Sequence, residues 1–128
     1  MIEIGIKGHK EQTVTPEMSA ARVGSGLVDV FATPMLAALV EQTCYESVLP
    51  YLEEGQGTVG TLVNVSHLSA TPIGKRVWCD SELTEVDRRR LVFSVKAYDD
   101  CGLIGEGTHE RFIIDSAKFQ EKALSKHA

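Results

Sequence analysis

One segment of this 128-residue chain reads as a long helix, and it constrains how everything else can pack. Thr33-Pro34 marks its start: threonine can cap the first free amides, and proline fits the first helical position. Pro50 prevents continuation beyond about Leu49. At about 100° per residue, Leu36, Ala37, Ala38, Val40, Cys44, Tyr45 and Val48 form one broad apolar arc, while Gln42, Thr43 and Glu46 face away. Glu41 falls inside the arc, between Val48 and Tyr45. Its neighbours three and four residues away are Ala37, Ala38, Cys44 and Tyr45, none of them a cation. Burial without a partner is costly or forces protonation. The carboxylate therefore either reaches water from the edge of the arc or faces a polar pocket against the helix.

The flanking sequence is rich in β patterns. Ile2, Ile4, Ile6 and Val14 alternate loosely, which predicts a first strand over residues 2–15. Residues 16–29 are small, include Gly24 and Gly26, and read as a short helix or a connecting loop. In residues 58–71, Val59, Thr61, Val63, Val65, His67 and Ser69 share one face of a strand; Gly60, Leu62, Asn64, Ser66 and Leu68 share the other. A turn at Thr71-Pro72-Ile73-Gly74 follows. Further strands are predicted over 75–86, 91–98 and 103–114, joined by turns at Asp87-Arg88-Arg89 and Asp99-Asp100-Cys101-Gly102. Gly105 and Gly107 fall on one strand face, where something must approach the backbone closely. The tail from Asp115 is charged and reads as a helical turn. A strand, a long helix and about four strands on short turns make an α+β architecture. An antiparallel sheet curved around one helix, as in the hotdog fold, buries the helix stripe and leaves a face or edge for a dimer partner.

The length fits one domain over residues 1–128. A net charge of −5 with no dense Lys/Arg patch argues against nucleic-acid binding. Cys44, Cys79 and Cys101 are odd in number and lack CxxC spacing, which argues against a disulfide framework or a zinc cluster and for a reducing cytoplasm. The N-terminal residues lack a signal-peptide core, and no apolar run approaches the ~20 residues of a membrane span.

His67 shares its strand face with Val63 and Val65, on a strand expected beside the helix. It is a satisfied core or rim histidine, or an acid/base group that titrates near neutrality. Thr33 is a cap, or it presents its hydroxyl at the helix N-terminus, where the dipole favours developing negative charge. With Glu41, these residues supply the hydroxyl, carboxylate and imidazole of acyl transfer or hydrolysis. His109 and Arg111 share a strand face that reads as a solvated edge. Arg88-Arg89-Arg90 reads as a solvated turn, Cys44 as a buried structural thiol, and His9 and His127 as terminal bystanders.

The spaced runs Val30-Phe31-Ala32-Thr33 with Glu41 eight residues on, Pro50-Tyr51-Leu52-Glu53, Gly60-Thr61, His67, Ala70-Thr71-Pro72 and Gly107-Thr108-His109-Glu110-Arg111 carry a resemblance. Over roughly residues 30–119 the chain resembles the hotdog thioesterases of the fluoroacetyl-CoA thioesterase type. The resemblance implies an acyl-CoA thioesterase with Thr33, Glu41 and His67 as its catalytic set. It also implies Gly60 beside the thioester and Arg111 supporting the site. A homodimer with active sites at the subunit interface is implied, with CoA as part of the substrate and no cofactor or metal. The fluoroacetyl-specific enzyme has a phenylalanine-bearing lid before the Val-Phe-Ala-Thr run. Here Gly24-Ser25-Gly26-Leu27 stands in that region, and no aromatic residue precedes Phe31. Hydrolysis of a short or small acyl-CoA is the expectation. An enoyl-CoA hydratase on the same fold would want an Asp partner for its His, and a noncatalytic acyl-CoA binding module would release no thiol.

Overall fold

The computed structural model describes residues 2–126, so His127 lies outside the described residues. Five strands, β1 (Lys7–Thr13), β2 (Gln56–His67), β3 (Arg76–Asp87), β4 (Arg90–Asp99) and β5 (Gly102–Asp115), form one antiparallel sheet in the order β1-β3-β4-β5-β2. Among the described residues three α-helices accompany it: α1 (Ala20–Val23), α2 (Thr33–Val48) and α3 (Ser116–Leu124). α2 packs against all five strands, so the sheet wraps the helix in the hotdog manner.

The core forms where the helix stripe meets the inward residues of β3 and β4. Leu36, Leu39, Val40, Cys44 and Val48 of α2 pack with Val77, Cys79, Leu83, Leu91, Phe93 and Val95. Along β3 and β4 buried and exposed positions alternate, the pattern of a sheet with one face covered. The buried stripe is centred differently from the arc drawn from sequence. Thr43 is inside, because its hydroxyl donates to the Leu39 carbonyl at 2.7 Å and so needs no water. Tyr45, placed in the arc, is 37% exposed.

Two boundaries also differ. The first strand starts at Lys7, not at residue 2, and its sequence, Lys-Gly-His-Lys-Glu-Gln-Thr, carries no apolar residue. Backbone pairing with β3 holds it, while Gly5 turns at φ 102° and Ile2 and Ile6 pack beside the core ahead of it. At the start of α2 the cap is Ala32, with Thr33 already at the first helical position and Pro34 at the second. Thr33 therefore does not cap the helix, and its hydroxyl is left for another partner.

A third difference moves a predicted site residue. The β2–β5 register slips between Gly60 and Leu62, a bulge at Thr61. Gly60 pairs with Arg111 and Val63 with His109, so Gly60 joins Val63, Val65 and His67 on the helix-facing side. Strict alternation had put Gly60 on the opposite face from His67.

Candidate active site

Thr33 is held at the N-terminus of α2 because Ala32 caps the helix through extended backbone and Pro34 pre-sets the first turn. His67 ends β2, directly across from that turn. Thr33 Oγ1 lies 2.7 Å from His67 Nδ1. The Phe31 ring meets the imidazole edge-on at a centroid distance of 6.5 Å. Desolvation pushes the His67 pKa below its ordinary 6.5, with the Ser69 backbone opposing the shift. The ring is therefore neutral at pH 7 and able to take a proton from the hydroxyl. Nε2 is buried and meets no hydrogen-bond partner of good geometry among the described residues. The pair opens into a cleft of about 270 Å³, walled by Ala20 of α1, Ser25, Val30, Phe31, Leu68 and Ala70. These walls are small or apolar.

Glu41 occupies a second cluster. Its Oε2 accepts from Arg111 Nη1 at 3.2 Å, so the cation missing from the helix comes from β5. Both readings of Glu41 from sequence are partly met, since the carboxylate is paired yet its side chain stays 42% exposed. Arg111 is almost fully enclosed. Its Nε donates to Thr58 Oγ1 at 2.7 Å and its Nη2 to the Thr58 carbonyl at 2.9 Å. The Tyr45 ring stands 5.6 Å from the guanidinium carbon. His109 is fully buried beside them, stacked on Phe93, with Nε2 3.1 Å from Arg111 Nη1. The solvated edge expected for His109 and Arg111 is thus a buried polar cluster facing the helix. Glu110 between them faces outward and binds Arg90. Alternation pairs His109 with Arg111 on one strand face but does not say that this face turns inward, and nothing in the sequence singles out Thr58.

Within one chain the structure brings Thr33 to His67, and Glu41 to Arg111 and Gly60. It does not bring the two groups together. Eight residues of helix separate Thr33 from Glu41 by about 12 Å along α2. Seven residues of strand separate Gly60 from His67 by roughly 20 Å along β2.

Gly60 makes the second cluster possible. A Cβ there would lie 2.6 Å from Glu41 Oε2, 3.2 Å from Arg111 Nη1 and 3.3 Å from His109 Cε1. Gly60→Ala is expected to displace the carboxylate, the end of a flexible side chain, and so to spare the fold. Turnover should fall about 10- to 100-fold with the melting temperature shifted by only a few degrees. Circular dichroism beside a steady-state assay checks this, and unchanged turnover would contradict the packing.

Other candidates are accounted for structurally. His9 pairs with Asp80 at 2.6 Å on an exposed part of the sheet, beside a separate cleft of about 600 Å³. Cys44 is wholly buried and desolvation drives its thiol pKa well up, as befits a structural thiol. Arg90 binds Glu85 and Glu110, and Arg88 turns the chain at φ 59°.

The sequence model of a family described as fluoroacetyl-CoA-specific thioesterase matches residues 14–117. The chain is 44% identical over 98 residues to the fluoroacetyl-CoA thioesterase of Streptantibioticus cattleyicolor, covering 77% of this chain and 70% of that one. Among solved structures, the fluoroacetyl-CoA thioesterase FlK superposes with a TM-score of 0.94 at 34% identity, over 100% of this chain and 99% of that one. A hot-dog-like protein from Thermanaerovibrio acidaminovorans superposes at 0.88 over 99% and 94% of the two chains, with 20% identity, a likeness of fold alone.

Proposed function

The chain belongs to the fluoroacetyl-CoA-specific thioesterase family, and from that premise we propose that it hydrolyses a short or small acyl-CoA to the free acid and CoA. One catalytic domain over residues 1–128, working in the cytoplasm without a cofactor, completes the reading. The observation that carries it is the 2.7 Å contact between the Thr33 hydroxyl and His67 Nδ1 at the mouth of the small cleft. His67 takes the proton as Thr33 Oγ attacks the thioester carbonyl carbon. The C–S bond breaks, and the proton passes to the departing CoA thiolate. The helix N-terminus stabilises the oxyanion between these events. Glu41, held through Oε2, presents Oε1 to a water and takes its proton as the water attacks the Thr33 ester; the acyl C–Oγ bond breaks, and that proton is returned to Thr33 Oγ as the acid leaves. Gly60 leaves room for the thioester beside Glu41, and Arg111 keeps that carboxylate oriented.

These roles need Glu41 beside Thr33, and that supports a homodimer with its active sites at the interface. β2 is a sheet edge, and Leu62 and Val63 in its middle are 46% and 41% exposed. Antiparallel pairing of β2 with its copy sets the Gly60 end of one strand beside the His67 end of the other.

A panel of acyl-CoAs in a free-thiol assay tests the function. Thiol release from small saturated acyl-CoAs is expected, with the acid limb of kcat/KM below the ordinary histidine value of 6.5 because His67 stays neutral there. Consumption of unsaturated substrates without thiol would indicate a hydratase. Binding without turnover would indicate a carrier module.

A further inference from the structure

We propose that His109 is a positioning residue, locked as the neutral Nδ1–H tautomer, which fixes Arg111 and through it Glu41. The inference rests on the proposed thioesterase reading for its catalytic consequence, and on geometry alone for the tautomer. Arginine has only donors. The contact between Arg111 Nη1 and His109 Nε2 at 3.1 Å therefore requires Nε2 to be the acceptor. The ring proton then sits on Nδ1, where it is donated to the Leu62 carbonyl at 2.7 Å. That carbonyl belongs to the residue just past the bulge, so the bulge supplies the acceptor that selects the tautomer.

The consequence runs through one nitrogen. Nη1 carries two hydrogens, one aimed at Glu41 Oε2 and the other at His109 Nε2. Thr58 holds Nε and Nη2 and sets the guanidinium plane. His109 occupies the remaining direction and leaves Nη1 one free hydrogen, for Glu41. A second proton on His109 would set N–H against N–H and push Nη1 off the carboxylate. Glu41 from α2, Arg111 from β5 and Phe93 from β4 face the ring, and Glu110 acts on it as a charge from the opposite face of β5. Burial is the largest influence on the ring, and with the Arg111 charge it disfavours the imidazolium; the carboxylates and the Leu62 carbonyl oppose it.

Two variants and one spectrum test this. His109→Phe keeps a ring on Phe93 but offers no acceptor, and kcat should fall about tenfold with KM within about twofold. His109→Gln restores a carbonyl acceptor and should regain most of the loss. In an Arg111→Met background, His109→Phe should cost nothing further, because the two act as a unit. Unchanged kcat in His109→Phe, or multiplied losses in the double variant, overturns the proposal. ¹⁵N-detected imidazole spectra of the wild-type protein, assigned with either variant, should show the Nδ1–H tautomer at pH 6.5. An Nε2–H or charged ring overturns the proposal whatever the turnover. Absence of thiol release by the wild type would instead overturn the thioesterase reading and the catalytic part of this one, leaving the spectra to decide the anchoring of Arg111.

Discussion

Replacing Glu41 by Gln is expected to cut thioester turnover by about 10²- to 10⁴-fold while the fold survives. The substitution keeps shape, and the amide oxygen can still accept from Arg111 Nη1. What it removes is the basic oxygen that faces water. Stability should change little, because the Glu41 side chain is 42% exposed and its ion pair is correspondingly screened. Arg111 also keeps its bonds to Thr58 and His109. The form of the loss is informative. If Glu41 activates the water that clears the Thr33 ester, the variant releases one thiol per site in a burst and then stalls. Intact-mass measurement would find the acyl group on the protein, and peptide mapping would place it on Thr33. A slow, linear release with no burst would move Glu41 to the first step as the attacking group. Turnover near the wild-type rate would end its assignment as a catalytic residue.

The helix and its sheet were legible because their signals are local. Thr33-Pro34 and Pro50 bracket α2 within a residue or two, and the alternation in β3 and β4 follows directly from one covered face. β1 lies later than apolar alternation suggests because a polar edge segment pairs through its backbone and through charged side chains such as His9 with Asp80 and Glu11 with Arg76. The Thr33–His67 contact joins residues 34 apart, and sequence could offer only the two groups on neighbouring elements. Gly60 shows the sharper limit. One extra residue at Thr61 inverts the relation between the faces on its two sides, and Gly60, a glycine inside a strand pattern, is the only local sign that Gly60-Thr61-Leu62 gives of such a bulge. Glu41 has no cation at helical spacing; its partner Arg111 comes from β5, 70 positions away. Long-range polar pairing of that kind is set by strand register, which composition and periodicity do not encode.

A heterodimer built from Thr33→Ala and Glu41→Ala chains is expected to recover activity that neither homodimer has. In one chain the hydroxyl–imidazole pair and the carboxylate lie at opposite ends of β2 and two turns apart on α2. A two-fold axis near Val63 and Asn64 would bring the Thr58–Gly60 end of one β2 beside the His67 end of its partner. The exposed Tyr45, Leu62 and Val63 would be covered by the same contact. Each site would then draw Thr33 and His67 from one subunit and Glu41 from the other. In the mixed dimer, one site combines both defects. The second combines the intact Thr33–His67 pair of the Glu41→Ala chain with the intact Glu41 of the Thr33→Ala chain. Co-expression with two different tags and tandem purification isolates that species, and its turnover should be about half that of the wild-type dimer, one good site of two. A site assembled within each chain predicts the opposite, since every site in the mixture would carry one of the two lesions and remain dead. Light scattering on the same preparation fixes the mass, and a monomer would remove the basis for a shared site altogether. The outcome thus decides whether the separation of the two clusters within one chain is a defect of the catalytic assignment or the reason this fold pairs.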